Sequence, residues 1–133
     1  MKKIKNLKKK LIGPVFSVIT PFKENEDIDF KSLKTYLEKI YFDGGRIFYV
    51  MAYNSRFSQL TNNEIKNISK FVIKIVKKLD KANIVILADP IHCSTKVSLE
   101  FCDFAYRMGA DIISLIFREK IFSNEQVYKH FKY

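Results

Sequence analysis

Ile47-Phe48-Tyr49-Val50-Met51 and Ile84-Val85-Ile86-Leu87-Ala88 are the two stretches on which the fold turns. Each is an apolar run of strand length, with hydrophobic residues on both faces instead of every second position. A strand of that kind must be covered on both sides, as in a parallel sheet flanked by helical crossovers. The chain on either side has the matching pattern. Between the two runs, Thr61 with Glu64 has the spacing of a capping box, and Ile65, Ile68, Phe71, Val72, Ile75, Val76 and Leu79 follow in one helical stripe.

Working outward, Val15 to Thr20 is a β-rich run stopped by Pro21. Asp29 is placed to cap a helix from Phe30, with Leu33, Leu37 and Ile40 inward, ended by Gly44-Gly45. After the run at Ile84, Asp89-Pro90 breaks the strand. Ser94 or Thr95 opens a helix carrying Val97, Phe101, Phe104 and Ala105, closed by Gly109. Ile112 to Phe117 predicts a fourth strand, and Ser123 starts a fourth helix with Val127, Tyr128 and Phe131. The order is strand-helix four times over, with no hairpin signal. No Gly-x-Gly-x-x-Gly follows the first strand, where Thr20-Pro21-Phe22 stands, and no Gly-x-x-x-x-Gly-Lys occurs. Dinucleotide and nucleoside-triphosphate binding are disfavoured. An open flavodoxin-like sheet or part of a (β/α)8 barrel remains, and a whole barrel takes about 250 residues.

Composition bounds the partners. The 133 residues hold 24 Lys plus Arg and 14 Asp plus Glu, for a net charge of +10. Lys2, Lys3, Lys5, Lys8, Lys9 and Lys10 supply six of those ten charges, leaving +4 for the remainder. Residues 1–12 are therefore read as a disordered basic leader and 13–133 as the folded domain. A lysine-rich leader can meet nucleic acid or an anionic membrane. The four arginines (Arg46, Arg56, Arg107, Arg118) are scattered, which disfavours nucleic acid, since phosphate forks prefer Arg. No apolar run reaches the roughly 20 residues that span a bilayer. Pro14 interrupts the apolar run after the lysines and no small-residue cleavage site follows, so a signal peptide is not expected. Two cysteines, Cys93 and Cys102, make no disulfide framework, and a cytoplasmic location is the expectation.

Several separated segments resemble one enzyme family. Thr20-Pro21-Phe22, Ile28-Asp29-Phe30 and Leu33 are similar to the opening of the dihydrodipicolinate synthase and N-acetylneuraminate lyase family. Phe57-x-x-Leu60-Thr61-x-x-Glu64, Met108-Gly109-Ala110-Asp111 and Ser123-x-Glu125-x-x-Tyr128-x-His130-Phe131 resemble later anchors in the same order. The resemblance runs from Gly13 to Phe131. It implies a four-stranded partial (β/α)8 barrel, about half of one, and ancestry among class I aldolases. In these a strand-six lysine forms a Schiff base with pyruvate and a tyrosine after strand five relays protons. This sequence offers no position for either residue, so it is expected to be a truncated, degenerate member without catalysis of its own.

The family's Gly-Thr-Thr-Gly-Glu loop falls on Ala52, Tyr53, Asn54, Ser55 and Arg56, with both threonines and both glycines replaced. The resemblance thus implies Tyr53 and Asn54 as the degenerate loop's candidates for holding a keto-acid carboxylate such as that of pyruvate. Tyr53 is bulky for that task, while Asn54 still carries hydrogen-bond donors. The family's Pro-Tyr-Tyr falls on Phe117, Arg118 and Glu119. Asp89, His92 and Cys93 could form a nucleophile–base pair, and Asp89, His92, Cys93 and Glu119 a zinc site, but neighbours in a loop rarely face one another and the spacing is not that of a metal motif. Lys120 reads as solvated and His130 as a half-buried packing residue. No cofactor is expected. A half-barrel would expose two sheet edges and an apolar inner face, so a homo-oligomer or a pairing with a full-length paralogue is expected as well.

Overall fold

The computed structural model describes residues 2–89, 94–116 and 122–132. Four strands, β1 (Val15–Ser17), β2 (Ile47–Val50), β3 (Ile84–Asp89) and β4 (Ile112–Leu115), form one sheet in the order β1-β2-β3-β4, and all three pairings are parallel. The helices are α1 (Lys2–Lys10), α2 (Phe30–Phe42), α3 (Asn62–Leu79), α4 (Thr95–Met108) and α5 (Asn124–Lys132). This is the partial (β/α)8 barrel expected from the sequence. Within the leader read as disordered, Lys2–Lys10 is helical, and six of its nine residues are lysines, whose straight chains lose little rotamer freedom in a helix.

Register assigns the faces. Phe16, Phe48 and Val85 lie side by side, as do Val50 and Leu87. Phe48, Val85, Val18, Val50 and Leu87 are buried in the core with the stripes of α2 and α3 (Leu33, Leu37, Ile68, Val72, Val76). The opposite face carries Ser17, Tyr49, Ile86 and Ile112 in one register row, all half-buried. On this face the Tyr49 hydroxyl and Ser114 Oγ lie 2.9 Å apart, bridging β2 and β4 across β3.

The ends of the helices are set by the residues that the sequence singles out. Asp29 accepts from the backbone N–H groups of Lys31 and Ser32, each at 3.0 Å. Thr61 and Glu64 form the reciprocal box: Thr61 N–H donates to Glu64 Oε2 at 2.7 Å, and Glu64 N–H to Thr61 Oγ1 at 3.3 Å. Gly109 ends α4 with φ +90, where a left-handed residue lets its own N–H reach Tyr106 O and that of Ala110 reach Ala105 O.

Strand limits are shorter than the apolar runs suggest. β1 stops at Ser17 although Val18 N–H still bonds Tyr49 O at 2.8 Å, and Thr20 leaves the ladder to bond elsewhere. Met51 leaves β2 because it turns left-handed, at φ 58. Below β4, Asp111 extends the pairing with its side chain. Its N–H donates to Val85 O at 3.0 Å, while its Oδ2 accepts from Val85 N–H at 2.8 Å and from Lys77 Nζ at 2.6 Å.

Candidate functional site

In sheets of this kind, chemistry gathers at the carboxyl ends of the strands. Here that edge is formed by Thr20, the loop from Met51 to Phe57, and Asp89. Thr20 is buried, and its hydroxyl donates to Ser55 O at 2.7 Å, tying the end of β1 to the loop after β2. The loop winds through two short 3-10 turns, Tyr53–Ser55 and Phe57–Gln59. Between them Arg56 is left-handed at φ 58, as is Met51 before them. Both are non-glycine residues in a region that costs of order 1–3 kcal/mol each. The two glycine positions of the aligned loop, Ala52 and Ser55, lie immediately inside this left-handed pair.

Of the two residues expected to bind a keto acid, Asn54 lines a cleft and Tyr53 stands exposed on the surface. Tyr53 is 86% exposed and sets its ring edge-on to Phe57, centroids 6.2 Å apart. Asn54 is exposed and lines an open cleft of about 470 Å³ with Ile19, Thr20, Phe22 and Arg56. Arg56 also borders a second cleft of about 490 Å³, beside Lys23, Glu26 and Glu64. The exposed donors around Asn54 are the Asn54 amide and the Arg56 guanidinium, while the Thr20 hydroxyl already donates to Ser55. Exposed donors in water hold a carboxylate weakly.

Asp89 is buried and accepts from Ser98 Oγ at 2.7 Å, facing α4 instead of the cleft. His92, Cys93, Phe117, Arg118, Glu119 and Lys120 lie outside the described residues, and with them most of the nucleophile–base and zinc candidates. Among the described residues no group of three or more His, Cys, Asp or Glu could hold a metal ion. Cys102 is a free thiol, raised above its usual pKa by burial and then by the Asp89 charge. His130 is more buried than expected for a half-buried packing residue. It pairs through Nδ1 with Thr95 Oγ1 at 2.9 Å and packs edge-on against Phe131. That link between α4 and α5, and the Tyr49–Ser114 bridge, have no signal in the sequence because each joins residues 35 or more apart.

No family model and no curated protein matches the chain. Solved structures do. Dihydrodipicolinate synthase from Bacillus clausii superposes with a TM-score of 0.80 at 24% identity, over 95% of this chain and 42% of that one. The fold is similar to that of part of a dihydrodipicolinate synthase. A prophage protein of the dihydrodipicolinic acid synthase family from E. coli K12, solved in complex with pyruvate, superposes at 0.80 with 22% identity over 92% of this chain and 40% of that one. The synthase from Aquifex aeolicus gives 0.77, 22%, 90% and 40% in the same order. The chain thus spans about 40% of the length of the synthases that it matches. No helix among the described residues is long and apolar enough to cross a membrane.

Proposed function

We propose that the chain is a degenerate member of the dihydrodipicolinate synthase and N-acetylneuraminate lyase family whose 133 residues carry no Schiff-base chemistry of their own. The observation that carries this reading is the loop after β2. Its anchors Leu60, Thr61 and Glu64 are in place, yet Tyr53 is exposed and Asn54 sits in an open cleft where the buried Thr20 hydroxyl is already spent on the Ser55 carbonyl. A keto acid would find neither an enclosed pocket nor a preorganised carboxylate clamp there. The test is incubation of the purified chain with pyruvate and borohydride, followed by intact mass measurement. No adduct is expected; a stoichiometric reduced adduct on any lysine restores catalysis and refutes the reading.

A second reading draws on the sheet edges. Val15 in β1 and Ile19 after it are 49% and 43% exposed, and Ile116 after β4 is 46% exposed. Among the described residues neither edge is paired, and unpaired apolar edges recruit strands. In this reading the unit is a binding module whose partner, a second copy or a full-length paralogue, lies against β1, β4 and the face bearing Tyr49 and Ile86. Light scattering after size exclusion is expected to give a mass above 15.7 kDa that rises with concentration. A monomer at every concentration, with no co-purifying paralogue, removes this reading and leaves the first untouched.

A further inference from the structure

The helix α1 is not used by either reading. It places six lysines within Lys2–Lys10, and the first acidic residue of the chain is Glu24. Ile4, Leu7 and Leu11 follow one another at i, i+3 and i+7, which puts them on one face of the helix. That face is poorly covered. Ile4 is 61% exposed, Leu11 37% and the adjoining Ile12 80%, while Leu7 alone is half-buried. Between Asn6, Leu7 and Lys10 on one side and Ala82, Ile84 and Tyr106 on the other lies a cleft of about 560 Å³. The helix therefore leans over the amino ends of β3 and β4 without packing tightly there. Gly13, at φ +112, and Pro14 separate it from β1.

We propose that α1 docks the protein on a bilayer surface rich in anionic phospholipid, with Ile4, Leu7, Leu11 and Ile12 in the headgroup–acyl boundary and the exposed Lys8, Lys9 and Lys10 against the phosphates. Charge complementarity and the apolar stripe together select this occupant. Lysines without any accompanying carboxylate are attracted to an anionic leaflet, and a short basic helix with an apolar face lies in the plane of the interface. A nucleic-acid backbone would neutralise the lysines but offer nothing to the exposed Ile4 and Ile12. Docking at the amino ends of the strands leaves the carboxyl edge, with Thr20 and Arg56, pointing away from the lipid.

The experiment is co-sedimentation of the full chain with vesicles of phosphatidylcholine alone or with added phosphatidylserine. Binding is expected only with phosphatidylserine present and is expected to fall steeply with salt. Replacing the exposed Lys8, Lys9 and Lys10 by Gln removes three surface charges. At about fivefold per lysine this weakens binding by about 100-fold. The pair Ile4→Asn and Leu11→Asn keeps every charge and is expected to weaken binding at least tenfold, with an unchanged circular dichroism spectrum. The proposal is overturned by equal binding to both vesicles, by no binding to either, or by an Asn pair that binds as the parent does. Lysine-dependent binding to duplex DNA with none to vesicles overturns it too, and assigns the helix to nucleic acid.

Discussion

Replacing Asp111 should reveal how the fourth strand is attached to the rest of the sheet. Asp111 Oδ2 accepts from Val85 N–H at 2.8 Å and from Lys77 Nζ at 2.6 Å, and the Asp111 side chain is only 27% exposed. Val85 is fully buried, so removing its acceptor strands a backbone donor at the entrance to β3. A hydrogen bond to a charged acceptor contributes about 1.5–3 kcal/mol. The ion pair adds about 1 kcal/mol or less, because Lys77 keeps a second acceptor in Asn83 O at 2.6 Å. Asp111→Ala is thus expected to cost about 2–4 kcal/mol, a large share of a typical 5–15 kcal/mol. Asp111→Asn keeps an oxygen for Val85 N–H and loses only the charge, for about 1 kcal/mol. In urea titrations followed by circular dichroism, with a slope of about 2 kcal/mol per molar, the Ala midpoint should fall by about 1–2 M and the Asn midpoint by about 0.5 M. Equal losses in the two variants would show that charge matters and the acceptor does not. An Ala variant within about 0.5 kcal/mol of the parent would refute the reasoning altogether.

Gly45→Ala should destabilise by roughly 1–3 kcal/mol, since its Cβ would meet the Ile40 side chain and lie 2.8 Å from the Ile40 carbonyl oxygen; thermal unfolding reads it. Acid should loosen α2 and α3. Hydrogen bonds hold the carboxyls of Asp29 (first from the Ser32 side chain) and Glu64 (first from the Thr61 backbone) below their usual pKa. A depressed folded pKa means stability that is present above the unfolded value and is lost as pH falls through the folded one. Unfolding midpoints should therefore drop below about pH 4, and Glu64→Gln should flatten part of that drop. Cys102, its pKa raised, should be alkylated by iodoacetamide more slowly at neutral pH than a free cysteine, with peptide mapping as the readout.

The strand–helix alternation was legible because both-face apolar runs can only be interior parallel strands, and because caps such as Asp29 and the Thr61–Glu64 box are local chemistry within three residues. The address of the candidate loop was legible too, counted back from Leu60-Thr61. Which way its side chains point was not. That depends on Met51 and Arg56 turning left-handed, a conformation that neither residue type announces.

The linear order of residues was enough to determine the four-stranded parallel sheet and its helical crossovers, since these follow from local period and spacing. Tertiary structure alone decided that Thr20 serves the Ser55 carbonyl, that Asp111 completes the β3–β4 ladder and that Tyr49 reaches Ser114. Those contacts join residues far apart along the chain, and their geometry is set by sheet register and crossover packing, which no window of sequence contains.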